Sequence, residues 1–244
     1  MTRLYKNIVI LTGAGISAES GLATFRSSNG LWNNHRVEDV ATIEAYWRNP
    51  DYVHQFYNEM RPELYNAKPN PAHLCITELQ KKYPAHIAVV TQNVDTLHEK
   101  AGNQNVFHIH GQINQIVCMN CGHVFETWGD VSSEDKCEHC GTTGMLKPNI
   151  VFFGESLLYM DQVDRLLNSC DLFVSVGTSG VVYPAAGFVQ FAKMFGADTY
   201  EFNMEETSNN SLFDKHIYGP AGTTLPQFVQ QLLADVPTKE EMSK

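Results

Sequence analysis

Four cysteines stand in two C-x-x-C pairs, Cys118-Met119-Asn120-Cys121 and Cys137-Glu138-His139-Cys140, with fifteen residues between the pairs. Thiolates at this spacing can close a tetrahedron around one zinc ion, and the interval lies within the range of four-cysteine zinc sites. Gly122 and Gly141, directly after each pair, permit the tight turns that such knuckles need. A closed four-thiolate sphere leaves no position for water, so the metal is expected to be structural and to supply much of the folding energy of the polar stretch between the pairs. The competing reading is a redox dithiol. Cys75 and Cys170 lie in apolar helical surroundings and read as buried core thiols.

A second constellation opens the chain. The apolar run Ile8-Val9-Ile10-Leu11 ends on Gly13-Ala14-Gly15-Ile16-Ser17-Ala18, which fits the strand-turn-helix fingerprint G-x-G-x-x-A of dinucleotide sites. Such glycines let backbone approach a pyrophosphate, and a helix opening over Ser17 to Gly21 would aim its free N–H groups at the same charge. A standard dinucleotide fold then places a second strand and an acidic residue about 20 residues on. Here Phe25 to Trp32 intervenes, with no apolar strand before Glu38 and Asp39, so a long loop is expected in its place.

Two further strand ends are polar. Thr91-Gln92-Asn93-Val94-Asp95 follows the strand Ile87–Val90, and His108-Ile109-His110-Gly111 ends the next one. In an open parallel sheet these carboxyl ends line the ligand crevice. Strand alternation puts His108 and His110 on one side, so position separates them, and His110 beside Gly111 is the better placed for proton transfer.

These groups need a scaffold, and the rest of the chain describes one. Strand-like runs at 8–11, 87–90, 106–109, 172–176 and 199–202 alternate with helical patterns at 71–79, 160–169, 184–195 and 225–233, which predicts an α/β, Rossmann-like parallel sheet with helices on both faces. Residues 39–71, rich in aromatics at helical spacing, read as a helical insertion. The expected organisation is one catalytic domain in which 1–34, 72–112 and 149–244 build the nucleotide-binding part, while 35–71 and 113–148 form a small lobe of helical insertion and zinc ribbon.

With 27 acidic against 17 basic residues the formal charge is −10, which argues against broad contact with nucleic acid or anionic membranes and favours basic protein tails as partners. No run approaches the length of a membrane span, and Met1 to Lys6 leads straight into the first strand without a signal-peptide core. A cytoplasmic, monomeric protein is expected.

The strings GAGISAESGLATFR, TQNVDTLHEKAG, His110-Gly111, the paired C-x-x-C, NIVFFGE, Val176-Gly177-Thr178-Ser179 and Tyr218-Gly219-Pro220-Ala221 occur in the order seen in the sirtuins, NAD-dependent protein lysine deacylases, which the chain resembles over nearly its whole length. Its close-set cysteines, Gly30-Leu31-Trp32 and short termini resemble the bacterial branch that includes mitochondrial desuccinylases. Ala23 stands where many relatives have proline.

The resemblance implies NAD as co-substrate and one structural zinc on Cys118, Cys121, Cys137 and Cys140. It places pyrophosphate on Ala14 and Gly15, with Gly13, Ser17 and Ala18 nearby, and Phe25, Arg26 and Trp32 on the loop closing over the nicotinamide ribose. Gln92 would hold ribose hydroxyls, Asn93 would position the reacting ribose, and Asp95, next to Val94, would take the carboxamide. Gly177, Thr178 and Ser179 would meet phosphate and ribose, and Asn203, Met204, Glu205 and Ala221 would frame adenosine. Val151, Phe153, Gly154 and Glu155 would pair with the substrate peptide as an added strand. His110 would be the general base that yields free lysine, nicotinamide and O-acyl-ADP-ribose.

One departure bears on substrate. Relatives that remove succinyl and malonyl groups hold the acyl carboxylate with a tyrosine and an arginine three residues later. Here Tyr57 is followed at that spacing by Met60, and Arg61 lies one step further, rotated about 100° around a helix. Burying a carboxylate without its cation is costly, so acetyl and other uncharged acyl groups are expected as substrates, with desuccinylation and protein ADP-ribosylation as the alternatives.

Overall fold

The computed structural model describes residues 3–24, 31–32 and 35–234. In chain order it contains β1 (Asn7–Thr12), α1 (Ala14–Ser17), the two-residue strands β2 (Leu31–Trp32) and β3 (His35–Arg36), α2 (Val37–Val40), α3 (Ile43–Arg48), α4 (Pro50–Asn66) and α5 (Pro71–Lys82). It continues with β4 (His86–Thr91), α6 (Leu97–Ala101), β5 (Val106–His108), β6 (Gly111–Cys118), β7 (Val124–Glu126) and β8 (Leu146–Ile150). The remainder comprises α7 (Met160–Ser169), β9 (Leu172–Val176), α8 (Phe188–Met194), β10 (Asp198–Asn203), β11 (Lys215–Tyr218) and α9 (Ala221–Ala234).

Six parallel strands form one sheet in the order β11-β10-β9-β1-β4-β5. Period-two alternation sorts β1 onto two cores: Ile8 and Ile10 pack with α5 and α9, whereas Val9 and Leu11 pack with α7 and α8. Both faces of the sheet are therefore covered, which is why its strands read as nearly unbroken apolar runs. The helices bring matching stripes, such as Leu225, Phe228, Val229 and Leu232 on α9. Each such fully buried side chain contributes about 1.5–3 kcal/mol.

The chain builds outward from β1 through β4 to β5, then crosses back to place β9 on the other side of β1. The reversal leaves a crevice beyond the carboxyl ends of β1 and β9, the switch point at which such sheets bind ligands. Between β5 and α7 lies the excursion β6–β8, a three-stranded antiparallel sheet in the order β7-β6-β8. Strands β6 and β8 run across the lobe boundaries expected at 112/113 and 148/149, so the two parts share continuous strands.

Helix starts follow their side-chain caps. Thr42 Oγ1 accepts from Ala45 N at 3.1 Å to start α3, Asn49 Oδ1 from Tyr52 N at 3.2 Å to start α4, and Asn70 Oδ1 from Ala72 N at 2.9 Å to start α5. Asn70 also donates to Ile16 O at 2.7 Å, which ties α5 to the glycine turn.

Several elements differ from expectation. The helix after the glycine turn begins at Ala14 and passes at Ala18–Ser20 into a single 3-10 turn, because Gly21 closes it in the left-handed region. The expected helix 184–195 is a 3-10 turn at Ala185–Gly187 followed by α8, and α9 starts four residues before Leu225. The polar stretch between the cysteine pairs does contribute to a small core, in which Val131 packs with Ile116, Leu146, Cys118 and Cys137.

Candidate active site

The floor of the crevice is backbone packed on backbone. Gly13 N donates to Val176 O at 3.0 Å, Gly15 N to Gly177 O at 2.9 Å, and Gly177 N to Phe202 O at 2.8 Å. A Cβ on Gly15 would lie 2.6 Å from Gly177 Cα, and one on Gly177, at φ +64°, would lie 2.4 Å from Ile16 N. The glycines thus join β1, β9 and β10 as well as leaving room for a ligand. Since Gly15 N–H is already spent on Gly177, the turn's open donor is that of Ala14, which at the first helical position has no carbonyl within its own helix.

Polar side chains converge from β4 and the loop after it. Asn93 Nδ2 donates to Gly13 O and Ser17 Oγ, both at 3.1 Å, and Ser17 Oγ donates to Asp95 Oδ2 at 2.9 Å. Asp95 Oδ1 accepts from Leu97 N at 3.0 Å and so caps α6. All three side chains are buried. On the β9 side Thr178 Oγ1 lies 3.0 Å from Ser175 Oγ, and Asn203 Nδ2 donates to Thr178 O at 2.6 Å. The structure therefore links Gly13, Gly15, Ser17, Asn93, Asp95, Gly177, Thr178 and Asn203 through hydrogen bonds along one sheet edge.

Ala18, Ser179, Met204 and Glu205 are exposed at the same edge, and Val94 and Ala221 are half-buried. At the start of α9, Gly222 N donates to Glu19 Oε2 at 2.6 Å. Phe25 and Arg26 lie outside the described residues, and Trp32 is described only as backbone in β2.

His110 follows β5 in the turn before β6, so strand alternation does not set its direction. Its Nδ1 lies 2.8 Å from Gln92 O. A carbonyl oxygen only accepts, so Nδ1 carries the hydrogen and Nε2 keeps its lone pair. No described residue hydrogen-bonds Nε2. Burial holds the imidazole below its ordinary pKa, against the opposing hydrogen bond to Gln92, so the ring is a neutral base at neutral pH. Gly111 sets the geometry: at φ +81° a Cβ would stand 1.8 Å from Asn149 O.

His108, the other histidine of this segment, is engaged at both ring nitrogens, with Asn93 O and Glu99 Oε1 each 2.9 Å away. Its buried neighbour His98 contacts Thr12 Oγ1 at 3.0 Å and Asn103 Oδ1 at 2.5 Å. Sequence reasoning passed over Glu99, His98 and Thr12, although the LHE string directly after the Asn93 loop was the available signal.

Segment 151–155 lies against both lobes. Val151 N donates to His110 O at 2.9 Å and Phe153 N to Ala41 O at 2.8 Å. Glu155 folds back, its Oε2 accepting from Phe152 N at 2.7 Å and from Lys147 Nζ at 3.1 Å, while the buried Lys147 ammonium sits 3.9 Å from the Phe152 ring centre. The Glu155 carboxylate thus braces the segment, and Phe153 and Gly154 stay exposed.

On α4, Tyr57 and Met60 are buried in one cluster with Ile113, Ile150 and Phe152, and Val94 packs against it. Arg61 turns away toward the zinc lobe. Its Nε donates to Ile113 O at 3.2 Å, and its Nη1 donates to Gly129 O at 3.3 Å and to Asn58 Oδ1.

The four cysteine sulfurs lie within 4.8 Å of one another, with Cys118–Cys140 at 3.7 Å and Cys121–Cys137 at 3.8 Å. Tetrahedral Zn–S bonds of about 2.3 Å require sulfurs about 3.8 Å apart. The two knuckles match: Gly122 N donates to Cys118 O and Gly141 N to Cys137 O, both at 2.8 Å. The donor set fits one structural zinc.

The sequence profile of the Sir2 family matches residues 13–184. This chain belongs to the Sir2 family. It is 48% identical over 233 residues to an NAD-dependent protein deacylase of Bdellovibrio bacteriovorus, covering 95% of this chain and 98% of that protein. Over 233 residues it is 51% identical to the NAD-dependent protein deacylase SIR2rp3 of Leishmania major, covering 93% and 96% respectively. Among solved structures, a Sir2 homologue in complex with NAD superposes with a TM-score of 0.84 at 36% identity, covering 95% of this chain and 91% of that one. Sir2Af2 bound to a myristoylated histone peptide gives 0.72 at 34%, covering 93% and 91%.

Proposed function

We propose that this sirtuin is an NAD-dependent protein lysine deacylase that prefers acetyl and other uncharged acyl groups. The observation that carries the reading is the His110 tautomer: an imidazole with Nδ1–H spent on Gln92 O and a free Nε2 lone pair, at the carboxyl edge of the sheet. That is the state a general base needs.

NAD, when bound, supplies an electrophilic ribose carbon and nicotinamide as leaving group. The residues divide the remaining work. The Ala14 N–H and the glycine turn receive phosphate, Thr178 and Asn203 frame the adenosine half, and Asn93 and Asp95 orient the nicotinamide half. Asp95 retains acceptor capacity beyond its bonds to Ser17 and Leu97. His110 Nε2 would accept the proton of a ribose hydroxyl. Segment 151–154 aligns the peptide, and Tyr57 and Met60 wall the acyl group.

The preference for uncharged acyl groups rests on Arg61. Its Nε and Nη1 bond backbone at Ile113 and Gly129, its buried Nη2 has no hydrogen-bond partner among the described residues, and Met60 offers no charge. Two relatives are named as deacylases without an acyl group specified, and Sir2Af2 binds a myristoylated peptide. The test offers NAD with matched peptides carrying acetyl, succinyl and long apolar acyl groups, and measures nicotinamide and O-acyl-ADP-ribose by mass. Faster succinyl than acetyl removal defeats the preference; labelled ADP-ribose left mainly on protein defeats deacylation.

A further inference from the structure

Two histidines two residues apart each face one of two consecutive carbonyls in the loop after β4. His110 Nδ1 takes Gln92 O at 2.8 Å, and His108 Nδ1 takes Asn93 O at 2.9 Å. The rings differ at their other end. His110 Nε2 has no partner among the described residues, whereas His108 Nε2 lies 2.9 Å from Glu99 Oε1. His108 is 3% exposed, and the Glu99 side chain is 39% exposed.

This closure acts on Asn93. Its N–H donates to Thr91 Oγ1 at 3.1 Å, its side chain holds Gly13 O and Ser17 Oγ, and its C=O is held by His108. The first three bonds come from the residue's own strand and the glycine turn. The fourth depends on the His108 ring being held in line: its Nδ1 reaches the Asn93 carbonyl, and its far nitrogen Nε2 is anchored by Glu99 Oε1, each at 2.9 Å. Partial burial works against ionisation of Glu99, yet the His108 hydrogen bond holds the carboxyl below its ordinary range. A ring without the anchor at Nε2 is no longer held in line with Asn93 O.

We propose that Glu99 and His108 are a positioning pair for the deacylation reaction: Glu99 holds the His108 ring, and His108 holds the Asn93 backbone so that the Asn93 side chain is aligned for nicotinamide departure. The pair touches neither substrate nor His110. The proposal rests on the deacylase reading, and its test separates the two.

The experiment measures full deacylation and the exchange of labelled nicotinamide into NAD in the presence of an acetyl-lysine peptide. It uses wild type, Glu99→Ala, Glu99→Gln and His110→Ala. Exchange reports the first step, which does not need the base, so His110→Ala keeps exchange and loses deacylation. Glu99→Ala lowers the rate of exchange and deacylation together, by roughly 10- to 100-fold as expected for a displaced reacting group. Its KM for NAD and its Tm stay close to wild type, because the Glu99 side chain is 39% exposed and the bonds of the glycine turn to Val176 O and Gly177 O do not involve it. Glu99→Gln restores most of the rate, since the amide keeps a hydrogen-bonding group at His108 Nε2 and so holds the ring in place. The proposal is overturned by exchange within twofold of wild type in Glu99→Ala, or by a loss that follows Tm and is not relieved in Glu99→Gln. Absence of nicotinamide release from wild type with every acyl peptide defeats the deacylase reading itself.

Discussion

His110 Nδ1 stands 2.8 Å from Gln92 O, and this one contact assigns the proton of the ring. The loop residue expected to hold the ribose also fixes, through its backbone, the tautomer of the base beside it. His110→Ala is expected to keep the fold and NAD binding and to lose deacylation by a factor of about 10² to 10⁴. Burial keeps the imidazole pKa below its ordinary value, so the base stays neutral as pH falls through 6.5 and the rate declines only at more acid pH. A pH–rate profile checks this: an acid limb centred above 6.5 contradicts it.

Buried histidines make stability depend on acid. His73 is fully buried, neither ring nitrogen has a hydrogen-bond partner among the described residues, and burial pushes its pKa down to about 3. Above its unfolded value of about 6.5 the ring is neutral in both states and adds nothing to the pH dependence. As pH falls from there toward 3 only the unfolded chain takes the proton, so stability drops by up to about 1.4 kcal/mol per pH unit from this residue alone. Denaturant titrations between pH 7 and pH 4 should show the decline, and His73→Leu should flatten it.

Arg61 joins α4 to the zinc lobe through Ile113 O and Gly129 O. Arg61→Met should lower stability by about 2–4 kcal/mol, because buried carbonyls lose a charged donor, and should leave the acetyl-to-succinyl rate ratio unchanged. Met60→Arg should raise succinyl removal beside Tyr57. A changed ratio in Arg61→Met would show that its guanidinium reaches the acyl group.

Zinc should be stoichiometric, and its removal should unfold the lobe carrying β6–β8. Since β6 begins at Gly111 and Val151 N bonds to His110 O, deacylation is expected to fail with it. Full activity in verified metal-free protein would count against a structural role.

Cysteine spacing, the glycine turn and the period-two and helical patterns were legible because each is local: a ligand set, a turn or a buried face writes itself into neighbouring positions. The sheet, its covering helices and the zinc site follow from such patterns, and the structure agrees with them. The ends of α1 and α8 were less legible, since 3-10 and α turns share the same periodicity over a few residues.

What only the tertiary structure decided are contacts between distant segments and the directions of long side chains. Gly15 meets Gly177, so its N–H is bonded to the residue that follows β9. Arg61 is taken up by the backbone of Ile113 and Gly129, and Glu155 folds back on Lys147. His108 and His110, alike in sequence, differ in that Glu99 holds the Nε2 of His108. Pattern specifies which face a residue occupies, but the partner at the end of a flexible side chain is chosen by which unsatisfied donor or acceptor the folded chain brings within 3 Å.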